Sequence, residues 1–575
     1  MFRTAQRSNH MNKVLTIALL ASFAEAQAQP LEHAWTKRFS TPDNGEKLWR
    51  LAVDENGNVY AAGNFSGTFS EQGISVTSAG AADILLLKYD PNGQLLWARS
   101  AGGPYDDVAF GAESDKDGNV YITGGCTSFA VFGDTALSVP GQNGAFIIFS
   151  FVARYSPDGD LRWVRNATSD GPANSTTSCV SYALKLDRLG DLVMAGGYSC
   201  AVPSLGDPAL STMSYGGIPF RTTLFAGQAH VFAQKLDTLG NTLWLHSVGD
   251  ITYSPNDSSE GFGTLVAVDV DAQNNVWLGG DCGANNYFNS GPVNLATAPF
   301  QALIYELSPQ GDPLSAFVLP ATITSSVEDM AVAPDGDLLL GGSYDGSFNG
   351  GTLAQGIDGY VVRTSPSGSI LWTKLLQGPQ NEFISGISNS PNEGLAIGCY
   401  YFYQANFAGD PLATSPGNNS AVIRLDGAGN ALEVVQPQVI TGYSFIADVQ
   451  TDIFNNIFVC GDVGGQVVFT NDTITCLTQD TYVSKISPDL NAGVAVDAEG
   501  TQAWSIFPNP ASEAFFIQGD RDAWRNVLLL DATGRVVNEW APGPRFGVGG
   551  LPSGLYIVRV MLANGGTQQQ RLVVE

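Results

Sequence analysis

At 575 residues the chain is longer than one hydrophobic core can serve, so several domains or a repeat architecture are expected. Glycine (66) and proline (29) are spread along it, aromatics reach 10%, and charged residues only 14%, which favours many short strands joined by tight turns; 44% hydrophobic residues exclude a disordered polymer. With 27 Lys and Arg against 55 Asp and Glu, the net charge of −28 argues against a nucleic-acid partner, because phosphate neutralisation needs clustered cations.

In chain order, Arg3, Arg7 and Lys13 precede an apolar run from Val14 to Ala24, and Ala26-Gln27-Ala28 supplies small residues for cleavage. This reads as a signal peptide over residues 1–28; Met11-Asn12-Lys13 would serve as a start as well as Met1, and the sequence leaves that choice open. No later run reaches the length of a transmembrane helix.

Self-alignment then yields seven units, about 44–103, 104–170, 171–250, 251–320, 321–380, 381–439 and 440–494. Each opens with an apolar strand and a turn such as Asp54-Glu55-Asn56-Gly57-Asn58, whose fourth place reads Gly57, Gly118, Gly190, Asn274, Gly336, Asn392 and Asn455. Only Gly and Asn enter positive φ at low cost, so hairpin turns of the primed or bulged type are expected there. A second recurrent glycine follows at Gly63, Gly124, Gly196, Gly280, Gly342, Gly398 and Gly461, where a bare backbone suggests close approach of another chain segment. The third strand carries Lys88, Arg154, Lys235, Glu306, Arg363, Arg424 and Lys485 at one address, which reads as a repeated scaffold ion pair. The fourth carries Trp97, Trp163, Trp244 and Trp372.

The seventh unit runs out one strand short, while an orphan fourth strand at 33–40, His33-Ala34-Trp35-Thr36-Lys37-Arg38, stands ahead of the first. Complementary ends predict ring closure, hence an all-β, seven-bladed β-propeller over 29–494. The pattern across residues 51–99 resembles the bacterial SBBP-type propeller repeat. Insertions near 128–147, 201–226 and 282–299 are expected to project from the ring.

A small-residue linker at 495–503 leads to a different module, 504–575, whose alternating apolar strands and glycine turns predict a small Ig-like β-sandwich. Its landmarks are Pro508-Asn509-Pro510, Asp531 with Gly534, and Gly554 with Tyr556. In that order, ending at the last residue, they resemble the type A C-terminal sorting domain of the type IX secretion system of Bacteroidetes. The resemblance implies a partnership with the type IX machinery, passage across the outer membrane, and removal of the domain, leaving cargo secreted or attached to surface lipopolysaccharide.

Seven cysteines in an exported chain raise the question of disulfides. Counting outward from the turn at Leu189-Gly190 sets Cys179 opposite Cys200, so a disulfide is expected there; Cys460 with Cys476 is a weaker second pair. Catalytic chemistry is sparse. The four histidines stand apart, no Cys-x-x-Cys or His-Glu-x-x-His occurs, and Asp115-x-Asp117-Gly118-Asn119 is a repeat turn without the distal Glu of a calcium loop. No cofactor is expected, and calcium has no support at this level. A non-enzymatic binding or adhesion protein at the cell surface or in the medium is the favoured expectation, with a glycan or protein ligand touching Tyr287, Phe288, Tyr400, Tyr401, Phe402 or Tyr403. The alternative is a polysaccharide hydrolase or lyase working in the channel, which converging acids and a base would favour.

Overall fold

The computed structural model describes residues 31–39, 41, 45–139, 147–169, 178–199, 213–220, 229–248, 263–283, 300–390, 394–415, 417–488, 505–507, 510–518, 524–530, 536–543, 545–562 and 567–574. The expected signal peptide, the linker and most of the three insertions lie outside them. Among the described residues every regular element is a β-strand.

The first unit sets the pattern: Lys47–Val53, Val59–Phe65, Asp83–Tyr89 and Leu95–Ala101 form one antiparallel meander. The same four-strand antiparallel order recurs along the described residues, with short extra hairpins such as Thr68–Glu71 with Ile74–Thr77 beside it. In the last unit, Thr473–Pro488 pairs on one side with Ile457–Val468 and on the other with Leu31–Phe39, so the amino-terminal segment supplies the fourth strand. First strands pack against one another in sequence, and Asp448–Thr451 lies against Lys47–Val53, which brings the circle back to its start.

Turn chemistry explains the hairpins. In the opening turns Gly57, Asn274 and Asn455 have φ of 77°, 63° and 62°. The Asp54 carboxylate accepts the N–H groups of Asn56 and Asn58, and Asp452 holds Phe454 and Asn456 in the same way. At Gly63, Gly124, Gly196, Gly280, Gly342 and Gly461 an added Cβ would strike a carbonyl oxygen of the preceding strand, so the backbone approach is the reason for glycine. The sixth unit is shifted by one residue from the sequence alignment. Asn389 pairs with Leu395 as Val53 pairs with Val59, so Cys399 takes the glycine's place and Gly398 is its neighbour.

The fourth-strand tryptophans reach across the seams. Trp97 Nε1 donates to the Pro157 carbonyl in the next unit's second turn, and Trp163, Trp244 and Trp372 do likewise to Thr238, Pro309 and Gly427. Each ring covers the turn glycine, Gly159, Gly240, Gly311 and Gly429, where a Cβ would lie within 3.1 Å of it. Trp35 makes the same contact to Pro91 and Gly93, which ties the last unit to the first. The recurrent bases also work within the scaffold: Lys235 pairs with Asp187 at 2.6 Å, Arg154 with Asp115 at 3.2 Å, while Lys88 and Lys485 cap the carbonyls of Pro157 and Pro91.

The expected Cys179–Cys200 register is corrected. The turn pairs Leu186 with Leu192, one residue off the expected count, and a bulge between Ser181 and Ala183 shifts the register by one more, placing Cys179 opposite Tyr198; Cys200 lies outside the described residues. Cys460 faces Val483 and Cys476 faces Gly465, too far along the strands to join, and no disulfide occurs among the described residues.

In the C-terminal module, Ser505–Phe507, Ala514–Gln518 and Phe546–Gly547 form one sheet, and Val536–Trp540, Trp524–Leu530, Gly554–Leu562 and Thr567–Val574 another. They enclose a core that includes Phe515, Leu529, Phe546 and Val558.

Because Trp35 is only 8% exposed and closes the ring, Trp35→Ala is expected to cost about 3–5 kcal/mol, in the range for emptying a large aromatic site. Trp35→Phe should recover most of it, as read by urea unfolding of the purified protein.

Candidate functional site

Six first strands carry one unpaired extra residue at the same address: Trp49, Phe110, Tyr182, Val266, Glu328 and Ser385. A bulge re-aims the inserted side chain and sharpens the local twist. Here the bulges gather around one mouth of the ring, lining a cavity of about 660 Å³ together with Phe383, Tyr400, Phe402 and Phe445.

The aromatics form two groups. Trp49, Phe110 and Tyr182 follow one another at centroid spacings of 5.7 and 5.4 Å. In the same lining Phe383 stacks on Tyr400 at 4.9 Å, and Phe445 meets Tyr400 edge-on at 5.0 Å. All six are half-buried, so each keeps part of its surface free. Polar groups stand among them: Lys47, whose ammonium sits 5.1 Å from the Trp49 ring centroid, Glu328, Asn381 and Asp462. Burial pushes Asp462 up to about 6 and Tyr400 up to about 12.

Below the mouth a channel of about 270 Å³ is lined by Arg50, Glu113, Lys185, Asp269 and Asp329, with Asp448 beside it. Acids and bases do converge here, and their bonds show how they are used. Asp269 accepts the Val332 N–H, Asp329 that of Ile387, and Asp448 that of Leu51, at 2.7, 2.8 and 2.7 Å. Each carboxylate thus fastens its own first strand to that of the following unit. Lys185 lies 3.4 Å from Glu113, and Arg50 3.5 Å from Asp448. Burial raises Glu113 and takes Asp329 up to about 6, with Arg50 opposing the shift; Lys185 is raised chiefly by Glu113. Among the described residues no group of three or more His, Cys, Asp or Glu assembles as a metal site.

Of the expected ligand contacts, Tyr400 and Phe402 line the mouth. Tyr401, next to them on the strand, points into the core and is fully buried, with its hydroxyl bonded to Gln436 and to the Ala413 carbonyl. Tyr403 is 51% exposed outside that lining, and Tyr287 and Phe288 lie outside the described residues. Trp49, Phe110 and Tyr182 were not singled out from sequence, although their signal is there: five residues before the turn Asp, three consecutive units carry an aromatic. Of the sorting motif, Pro510 is exposed, Gly554 opens a strand, and the Tyr556 hydroxyl donates to the Pro552 carbonyl; Pro508, Asn509, Asp531 and Gly534 lie outside the described residues.

Residues 505–575 match the family model described as the secretion system C-terminal sorting domain. An uncharacterized WD repeat-containing protein of Acanthamoeba polyphaga mimivirus is 22% identical over 496 residues, covering 72% of this chain; the chain spans about a third of that relative, 35%. Among solved structures, a polysaccharide lyase described as an ulvan lyase is 11% identical, with 76% of this chain and 91% of that chain covered and a TM-score of 0.38. The WD40 domain of Neurospora crassa Pan2 is 10% identical, with coverage of 66% and 88% and a TM-score of 0.30. The strand pairing, more than these distant likenesses, makes the molecule all-β and propeller-like. The sorting domain directs it through the type IX secretion machinery to the medium or the outer cell surface.

Lys185→Met leaves Glu113 without its cation. Glu113 is already raised, so its stabilising contribution is complete below its unfolded value of roughly 4.3 and is lost as pH rises through the folded value. The variant should therefore lose stability more steeply than the parent as pH rises above the unfolded value, as followed by urea midpoints.

Proposed function

We propose that this is a seven-bladed, SBBP-type β-propeller, followed by an Ig-like sorting domain, that binds a glycan at the aromatic mouth of its ring without transforming it. The observation that carries the reading is the gathering of two aromatic groups, Trp49-Phe110-Tyr182 and Phe383-Tyr400-Phe445, in the lining of one cavity with polar groups among them. A pyranose has an apolar C–H face and a rim of hydroxyls, and aromatic faces flanked by Lys47, Asn381, Glu328 and Asp462 complement both. The cavity falls within the range of ligand sites, and half-exposed aromatics clustered at one spot mark an interaction surface.

The channel acids support binding over hydrolysis or lysis. Three of them already accept backbone N–H groups of the neighbouring unit and the other charges are paired, so no acid and base stand free on opposite sides of a substrate bond.

Two experiments test this. Oligosaccharide panels titrated against the purified protein, with tryptophan fluorescence as the readout, should find a binder, and Trp49→Ala and Tyr400→Ala should each weaken it roughly tenfold at unchanged thermal stability. Binding of proteins alone, or product formation from a polysaccharide, would replace the reading. For export, a chain ending at residue 500 should remain periplasmic in a type IX-competent host while the full chain reaches the outside, as followed by mass spectrometry of medium and washed cells.

A further inference from the structure

Three seams of the ring bury a pair of carboxyl groups at equivalent places. One partner lies on the third strand, at its start for Asp83 and Asp358 and within it for Asp480, and the other precedes or opens the first strand of the next unit: Asp83 with Asp107, Asp358 with Glu382, and Asp480 with Glu46. All six are at most 2% exposed. Two like charges brought out of water need neutralising partners or protons.

Two seams supply most of those partners from the protein, leaving only Asp83 Oδ1 and Glu46 Oε1 as buried oxygens with neither a hydrogen bond nor an ion pair. At the first, the N–H groups of Ala79, Gly103 and Thr127 donate to Asp83 and Asp107. At the closing seam the Arg38 guanidinium lies 2.6 Å from Asp480, and the Thr41 hydroxyl donates to Glu46. The seam of Asp358 and Glu382 differs. Tyr344 and Gln377 donate to Asp358 Oδ2 and the two carboxyls lie within hydrogen-bond reach of each other, but Asp358 Oδ1 and both oxygens of Glu382 accept from no other donor group, and neither residue forms an ion pair among the described residues. The N–H groups of Gly378 and Gln380 come near Glu382 without hydrogen-bond geometry.

The surroundings are rich in oxygen. A side chain at Gly378 would run into the Glu382 carboxylate and the Gln404 carbonyl, so both oxygens face the same space beside this glycine. Asp358, Gly378 and Gln404 also line a cavity of about 510 Å³ through which an ion and its water could enter.

We propose that Asp358, Glu382 and the Gln404 carbonyl form a site for a hard divalent cation, calcium by preference, at the seam between the fifth and sixth units. Carboxylates and a carbonyl with no nitrogen or sulfur donor suit calcium, which accepts irregular sets of oxygen ligands completed by water. Magnesium, which demands a near-ideal octahedron, suits an open cavity wall less well. The cation does at this seam what Arg38 does at the closing one.

The test uses the purified full chain at pH 7.5, stripped with EGTA. Calcium at about 10 mM, roughly tenfold above the dissociation constants of many extracellular calcium modules, should raise Tm by about 3 °C, and magnesium should do less. Glu382→Gln and Asp358→Asn should both fold and both lose the shift, and isothermal titration should show one site in the parent and none in either variant. No calcium-dependent shift in the parent, or an undiminished shift in both variants, overturns the proposal. So does stability that ignores calcium and declines with rising pH, which would show that the pair shares a proton instead.

Discussion

An indole laid over a glycine turn holds each of several seams of this ring, and the rest of the architecture follows from it. The turn glycine must adopt positive φ, as Gly93 does at 78° and Gly159 at 82°, and it must lack a Cβ so that the ring of Trp35 or Trp97 can approach. The indole N–H then satisfies a turn carbonyl that would otherwise be covered by apolar surface. One residue type thus supplies apolar burial and a hydrogen bond to a turn that contributes backbone alone. Where Trp is replaced, as by Phe317 over Gly368, the packing is kept and the hydrogen bond is given up.

This explains which parts of the molecule could be read in advance. Positive-φ turns admit two residue types, close backbone approach admits one, and the tryptophans repeat because the seam repeats, so the units, their strand order and the orphan amino-terminal strand stand out in the sequence. Register within a strand is less visible. The bulge in six of the first strands adds one residue without changing the hydrophobic pattern around it, and together with a one-residue offset at the turn it undid the expected facing of Cys179 and Cys200. In the sixth unit Cys399 stands where glycine stands elsewhere, and the neighbouring Gly398 drew the alignment one place off.

The same bulges explain why the mouth was harder to see than the scaffold. A side chain freed from the ladder is free to vary, so the address reads Trp49, Phe110, Tyr182, Val266, Glu328 and Ser385, with no repeated identity to mark it. Tyr400 and Phe402 were found through a local run of aromatics, and strand alternation turns the intervening Tyr401 inward. The ring invests its repeated positions in seams and leaves the unrepeated ones to face a ligand, a division that separates Asp329, bonded to the next strand, from Glu328, one residue earlier and open to the cavity.

Closure also bears on how an exported protein of this size manages without disulfides among its described residues. Cys126, Cys399 and Cys460 are buried thiols, and burial raises Cys399 to about 12, far from the thiolate that oxidation requires. A disulfide stabilises mainly by removing chain entropy from the unfolded state, and the strand Leu31–Phe39 achieves a related end in the folded state. Its pairing with Thr473–Pro488 joins points more than four hundred residues apart and leaves no open edge between the first and last units. Loop-closure entropy grows only with the logarithm of length, so so distant a junction costs little more than a short one. Once it forms, no seam can open without straining the others. The reward for closing the ring is cooperativity, which a covalent link within one unit would not provide.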